Sequence, residues 1–224
     1  MLEPEFTIFL EDYGAVYIDI AKVASSSLKA TFASVLGFNL DSIGGNPHEV
    51  EFPHLLDSNG VGERLYPGLY TFGFVRNPWD RLVSCYRDKI EGEVKDYTRF
   101  SDSGVAHCLS HFNVFSANMS FEAFVDAVAS IPDAYADEHF RSQHNYLTNV
   151  RGDIAVDFVG RYEHLETDFR YVAERIGLPL NIRLPRLQAN PRSVNYVDYY
   201  TAVTRDIVAT RFAKDIELFA YQFE

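Results

Sequence analysis

Residues 16–32, VYIDIAKVASSSLKATF, read as a strand, a tight polar connection and the opening of a helix. Val16 to Ile20 is a mostly apolar run entered from Tyr13-Gly14, and apolar residues recur at helical spacing from about Ser27 to Leu36. The same order appears again downstream. A loop-rich stretch with Gly44, Gly45, Pro47, Pro53, Gly60, Gly62 and Pro67 leads to a second apolar strand, Tyr70 to Val75. Asn77 then stands as an N-cap with Pro78 at the first helical position, so a helix runs to about Ile90. A third strand, Asp157 to Arg161, meets a helix from Leu165 to Ile176 that Gly177 and Pro179 end. Phe121 to Ala129 and Asp137 to Leu147 also read as helical, while residues 91–120 are polar and irregular. Ala202 to Lys214, capped by Thr201, is the last helix before a short turn from Ile216 to Phe219. Strands alternating with helices imply an α/β fold: a parallel sheet flanked by helices, with ligands at the carboxyl ends of its strands.

The composition fits a folded chain of one domain, 1–224: 224 residues, 47% hydrophobic, 23% charged and 15% aromatic. No apolar run approaches the ~20 residues that cross a bilayer, and the N-terminus carries four acidic residues and no basic region of a secretory signal. Two cysteines, Cys85 and Cys108, are too few for a disulfide framework and lack the CxxC spacing of a metal site, which points to a reducing compartment. A net charge of −12 has the wrong sign for coating nucleic acid or an anionic membrane, so neither is an expected partner. An anionic ligand must therefore be held by a local cluster.

Two such clusters are present. After the first strand, Lys22 and Ser25, Ser26 and Ser27 stand where first-turn N–H groups, the positive end of a helix dipole, hydroxyls and an ammonium converge on a phosphate-sized anion. The plainer alternative is that the serines only cap the helix and Lys22 is solvated. Residues 72–90, FGFVRNPWDRLVSCYRDKI, carry four basic residues against two acidic ones. Arg76 sits at the strand end and Ser84 about two helical turns further on, a place for a second anion. Trp79, Leu82, Val83 and Tyr86 read as the core face of that helix. No GK dipeptide occurs, so the first loop is not of the nucleotide-triphosphatase type.

Lys22-Val-Ala-Ser-Ser-Ser after a strand, followed by Val75-Arg-Asn-Pro-Trp-Asp-Arg-Leu-Val-Ser-Cys-Tyr-Arg-Asp-Lys89, resembles the sulfotransferases that use 3′-phosphoadenosine 5′-phosphosulfate (PAPS). The likeness is to the carbohydrate type that includes the chondroitin and HNK-1 enzymes. It extends through Asp157-Phe-Val-Gly-Arg-Tyr-Glu163 and from Asn190-Pro-Arg-Ser193 to Tyr221. The resemblance implies a P-loop-like sulfotransferase fold, PAPS as donor, PAP as product and no metal. It assigns Lys22, Val23, Ala24, Ser25, Ser26 and Ser27 to the 5′-phosphosulfate, Arg76 and Ser84 to the 3′-phosphate, and Arg192 and Ser193 to a late nucleotide-contacting segment.

In-line transfer to a hydroxyl requires charge stabilisation on the departing oxygen, a task for Lys22 and the loop amides, and a base for the acceptor. His48 and His54, in the stretch GGNPHEVEFPHLL, lie where related enzymes place a base or acceptor-binding residues; His48 is preferred, with Glu49 and Glu51 as alternative bases or, for Glu51, a partner orienting a histidine. Arg141, Gln143 and His144 are assigned to the acceptor pocket, and His107, His111, His139 and His164 to structural or surface roles. The expected acceptor is a carbohydrate or small molecule, and the expected enzyme is soluble and cytoplasmic or a soluble piece of an anchored one. The competing functions are a nucleotide-dependent phosphotransferase and a catalytically silent PAP-binding protein.

Overall fold

The computed structural model describes residues 6–55, 64–91, 101, 104–179, 181–185 and 195–224. In chain order its elements are β1 (Thr7–Leu10), β2 (Ala15–Ile18), α1 (Ser25–Val35), β3 (Tyr70–Val75), α2 (Pro78–Lys89), α3 (His107–Ser110), α4 (Phe121–Ser130), α5 (His144–Leu147), β4 (Phe158–Arg161), α6 (Leu165–Ile176), α7 (Ala202–Arg211) and α8 (Ala213–Leu218). They pack as two compact units, Met1–Arg76 with Gln143–Pro191, and Asn77–Ser142 with Arg192–Glu224.

The first unit holds the whole sheet, in the order β1-β2-β3-β4. β2, β3 and β4 run parallel, with Ile18 opposite Gly73 and Val75 opposite Arg161. These are the three strands legible in the sequence. β1, which periodicity does not reveal, pairs antiparallel with β2 through a tight turn closed by Gly14 at φ +56°. A four-residue strand is too short to show an alternating pattern, and its outer edge is covered: Phe9 N–H donates to Pro53 O at 2.8 Å. Rings of Tyr17, Phe32, Phe72, Phe74 and Phe169 fill the core beneath the sheet. Gly160 lets β4 approach this layer, since a Cβ there would meet the Phe74 ring at 2.4 Å. Asp157 locks β4 to β3: its carboxylate accepts from both the N–H and the hydroxyl of Thr71 at 2.9 Å and pairs with Arg64.

The second unit is helical. Asn77 caps α2, its side chain accepting from Trp79 N–H at 3.1 Å. Trp79, Leu82, Val83 and Tyr86 are buried, as the apolar face requires. Thr201 caps α7 in a reciprocal box with Thr204. Two helix readings are corrected here. The segment 137–147 is helical only over α5; upstream, Phe140 and Arg141 N–H bond back to Asp137 O in a single turn, which ends where Ser142 N–H goes to the Asp133 carboxylate at 3.0 Å in place of a backbone carbonyl. The last helix breaks at Phe212, and the turn read at 216–219 is mostly the end of α8. Among the described residues no helix is long and apolar enough to cross a membrane.

Candidate active site

The connection from β2 to α1 is held in an uncommon backbone. Lys22 and Ala24 both adopt left-handed conformations, at φ +68° and +57°, without being glycine. Each such residue costs about 1–2 kcal/mol, so the surroundings must fix the loop. Val23 does so as a fully buried anchor between them. No side chain caps α1, and its first-turn N–H groups have no carbonyl within the helix to bond. Left-handed residues next to a helix start are the backbone from which anion-binding concavities are made.

Below the loop lies a residue the sequence reading passed over. Asp19, buried at 6% exposure, ends the VYID run; its carboxylate accepts from Tyr17 Oη at 3.1 Å and Ser25 Oγ at 3.0 Å and pairs with Lys29 Nζ at 2.8 Å. The Ser25 hydroxyl proton is thus committed to Asp19. Burial first, and the Asp19 charge second, push the Tyr17 phenol well above its usual range, so it stays a donor. A charged residue inside an otherwise apolar strand was the available signal for this network.

Arg76, at the end of β3, joins the two motifs. It is 5% exposed, donates from Nη1 to the Lys22 carbonyl at 3.0 Å, and stacks 4.2 Å over the Tyr162 ring. The Arg76 peptide is clamped by Gln143, whose Oε1 accepts from Arg76 N–H at 2.9 Å and whose Nε2 donates to Arg76 O at 2.8 Å. Gln143 is fully buried, so its carboxamide holds the strand end; Tyr162 and this clamp are contacts that spacing along the chain does not show.

His48 sits in a short 3₁₀ turn, Pro47–Glu49, capped by Asn46 and packed against α1. Its Nε2 lies 2.8 Å from Ser26 Oγ, which brings an exposed imidazole to the loop. His54 is tied elsewhere, donating from Nδ1 to the Thr7 carbonyl at 2.6 Å on the edge strand. Glu51 is exposed, and Glu49 accepts from Asn46. His144 opens α5, half-buried. In the second unit Ser84 is half-buried on α2, and Arg141 bonds locally to Ala136 O while its own carbonyl accepts from Arg81. Arg192 and Ser193 lie outside the described residues.

A mostly parallel sheet of this order, with a left-handed loop that no side chain caps after its second strand and a buried arginine after its third, defines an α/β protein flanked by helices. The sequence profile of the Sulfotransferase family matches residues 6–222, and the chain belongs to that family. It is similar to Carbohydrate sulfotransferase 14 of Danio rerio, 26% identical over 92% of this chain and 57% of that one, and to Carbohydrate sulfotransferase 14 of Homo sapiens, 28% identical over 93% and 58%. An "Uncharacterized protein" of Archaeoglobus fulgidus is 34% identical over 59% of this chain and 89% of its own length. The chain thus spans a little under three fifths of the length of the carbohydrate sulfotransferases it matches. No solved structure matches it significantly.

Proposed function

We propose that this chain moves a sulfuryl group from PAPS to a hydroxyl of a carbohydrate or small-molecule acceptor. The observation that carries the reading is the bond from the buried Arg76 guanidinium to the Lys22 carbonyl. Two cationic motifs 54 residues apart meet there, beside a helix start that no side chain caps. That donor set fits a nucleotide with charged groups at two ends. PAPS, when bound, supplies an activated sulfuryl group on a phosphate leaving group.

The chain's own residues then have distinct tasks. Lys22 and the N–H groups of residues 23–27 stabilise negative charge at the positive end of α1. Arg76, held by Tyr162 and Gln143, takes the 3′-phosphate, where a rigid guanidinium forks onto two oxygens. His48, beside Ser26, accepts the proton of the acceptor hydroxyl. The names of the matched relatives support a carbohydrate acceptor.

Thermal unfolding with 3′,5′-adenosine bisphosphate tests the reading. At 100 times its dissociation constant the ligand adds about 2.7 kcal/mol, or a rise of roughly 5–10 °C for a chain of this size. No rise with the bisphosphate but a rise with Mg-ATP would make the protein a phosphotransferase instead. Binding of the bisphosphate without sulfate transfer to any carbohydrate would make it a silent binder.

A further inference from the structure

Three chemically different side chains, remote in sequence, converge in the second unit. Cys108 lies on α3, while Asp137 and His139 belong to the irregular segment before α5. One sulfur, one carboxylate oxygen and one imidazole nitrogen all fall within 4.8 Å of one another. All three residues are half-buried, and Cys108 is a free thiol. His139 Nδ1 donates to Asp137 Oδ1 at 2.5 Å, which fixes the plane of the ring. The charges facing Cys108 are Asp137, Glu138 and Asp88 against the single ammonium of Lys89, so the local field favours a cation.

We propose that Cys108, Asp137 and His139 bind one borderline divalent transition-metal ion of the zinc class, with solvent completing a four-coordinate shell. Mixed sulfur, nitrogen and oxygen donors select such an ion over magnesium or calcium, which take oxygen alone. On capture the Cys108 thiol becomes a thiolate and releases one proton to solvent, and His139 ligates as neutral imidazole. The alternative use of the same trio, a cysteine nucleophile paired with a histidine, is disfavoured by its surroundings. Burial above all pushes the Cys108 thiol up to about 11, with Lys89 the one opposing charge, whereas a bound cation supplies the missing positive charge directly. The site stands on these three residues alone and is independent of the transfer chemistry proposed above.

Titration of the purified chain with cobalt(II) decides the matter. The expected result is a near-ultraviolet thiolate-to-cobalt charge-transfer band that saturates at one equivalent and is displaced by zinc(II). Cys108→Ala should abolish the band and weaken zinc binding at least about tenfold, since removing even a residue behind a ligand costs 10–100-fold. His139→Gln should weaken zinc binding by a similar factor while keeping a thiolate band, so the proposal stays testable should the first variant fail to fold. Absence of the band in the parent chain, or zinc affinity unchanged in either variant, overturns the proposal.

Discussion

The Asp19 network offers the sharpest test of how the loop is held, through Asp19→Asn. The carboxylate is 8% exposed at its side chain and gathers two hydroxyl donors and the Lys29 ammonium, itself 18% exposed. Asparagine keeps the shape and one acceptor oxygen but turns two charged hydrogen bonds, about 1.5–3 kcal/mol each, into neutral ones of about 0.5–1.5. It also strands Lys29. A fully buried pair broken on one side costs about 3–5 kcal/mol, yet the Lys29 stem can carry its head toward water and recover much of that. The expected total is about 3 kcal/mol, read as a lower urea midpoint at pH 7 and a melting temperature down by roughly 6–12 °C. Lys29→Met and the double variant complete a cycle. Once the aspartate charge is gone, losing the lysine should cost little, so the two losses should fall short of adding by about 1–3 kcal/mol. Losses that add within ~0.5 kcal/mol would show no coupling across the 2.8 Å pair and would refute this account of the loop.

Other consequences are more direct. Arg76→Ala should weaken binding of 3′,5′-adenosine bisphosphate by about 1.5–3 kcal/mol by calorimetry, while Tyr162→Ala, which removes only the stacking face, should cost about 0.5–2 kcal/mol. His48→Ala should spare that binding and lower sulfate transfer by about 10²–10⁴-fold; an unchanged rate would place the base elsewhere. Gly160→Ala should destabilise by about 1–3 kcal/mol in urea, because the Phe74 ring must move to admit the methyl group. In the metal-free chain, kept so with a chelator, the Cys108 thiol, raised by burial, should be alkylated by iodoacetamide with a half-maximal pH near 11 when followed by peptide mass spectrometry. Half-maximal reaction at the ordinary thiol value of about 8.5 would contradict the burial argument.

The parts of the fold that came through in one dimension are those made by neighbours along the chain. The caps at Asn77 and Thr201 and the stop at Gly177 with its φ of +79° rest on interactions within a few residues, and the three parallel strands show as local apolar runs although their ladders join residues 55 and 86 positions apart. The reading failed where distant groups intervene. Upstream of α5 the expected helix stops after one turn, because Ser142 N–H goes to the Asp133 carboxylate, nine residues back, in place of a backbone carbonyl. β1 has no period of its own and exists because β2 offers it an open edge.

The alternation of strands and helices, the basic loop at Lys22 and the strand-end arginine at position 76 are all readable along the chain, since spacing, capping and local charge are written in consecutive residues. It took the folded chain to show that Arg76 reaches the Lys22 carbonyl, that Asp19 underpins Ser25 and Lys29, that His48 meets Ser26, and that Cys108 stands beside Asp137 and His139. Except for the network at Asp19, these contacts join residues 22 or more positions apart. Such pairings arise when buried polar groups must find partners as the layers close, and that requirement leaves no periodic trace in the chain.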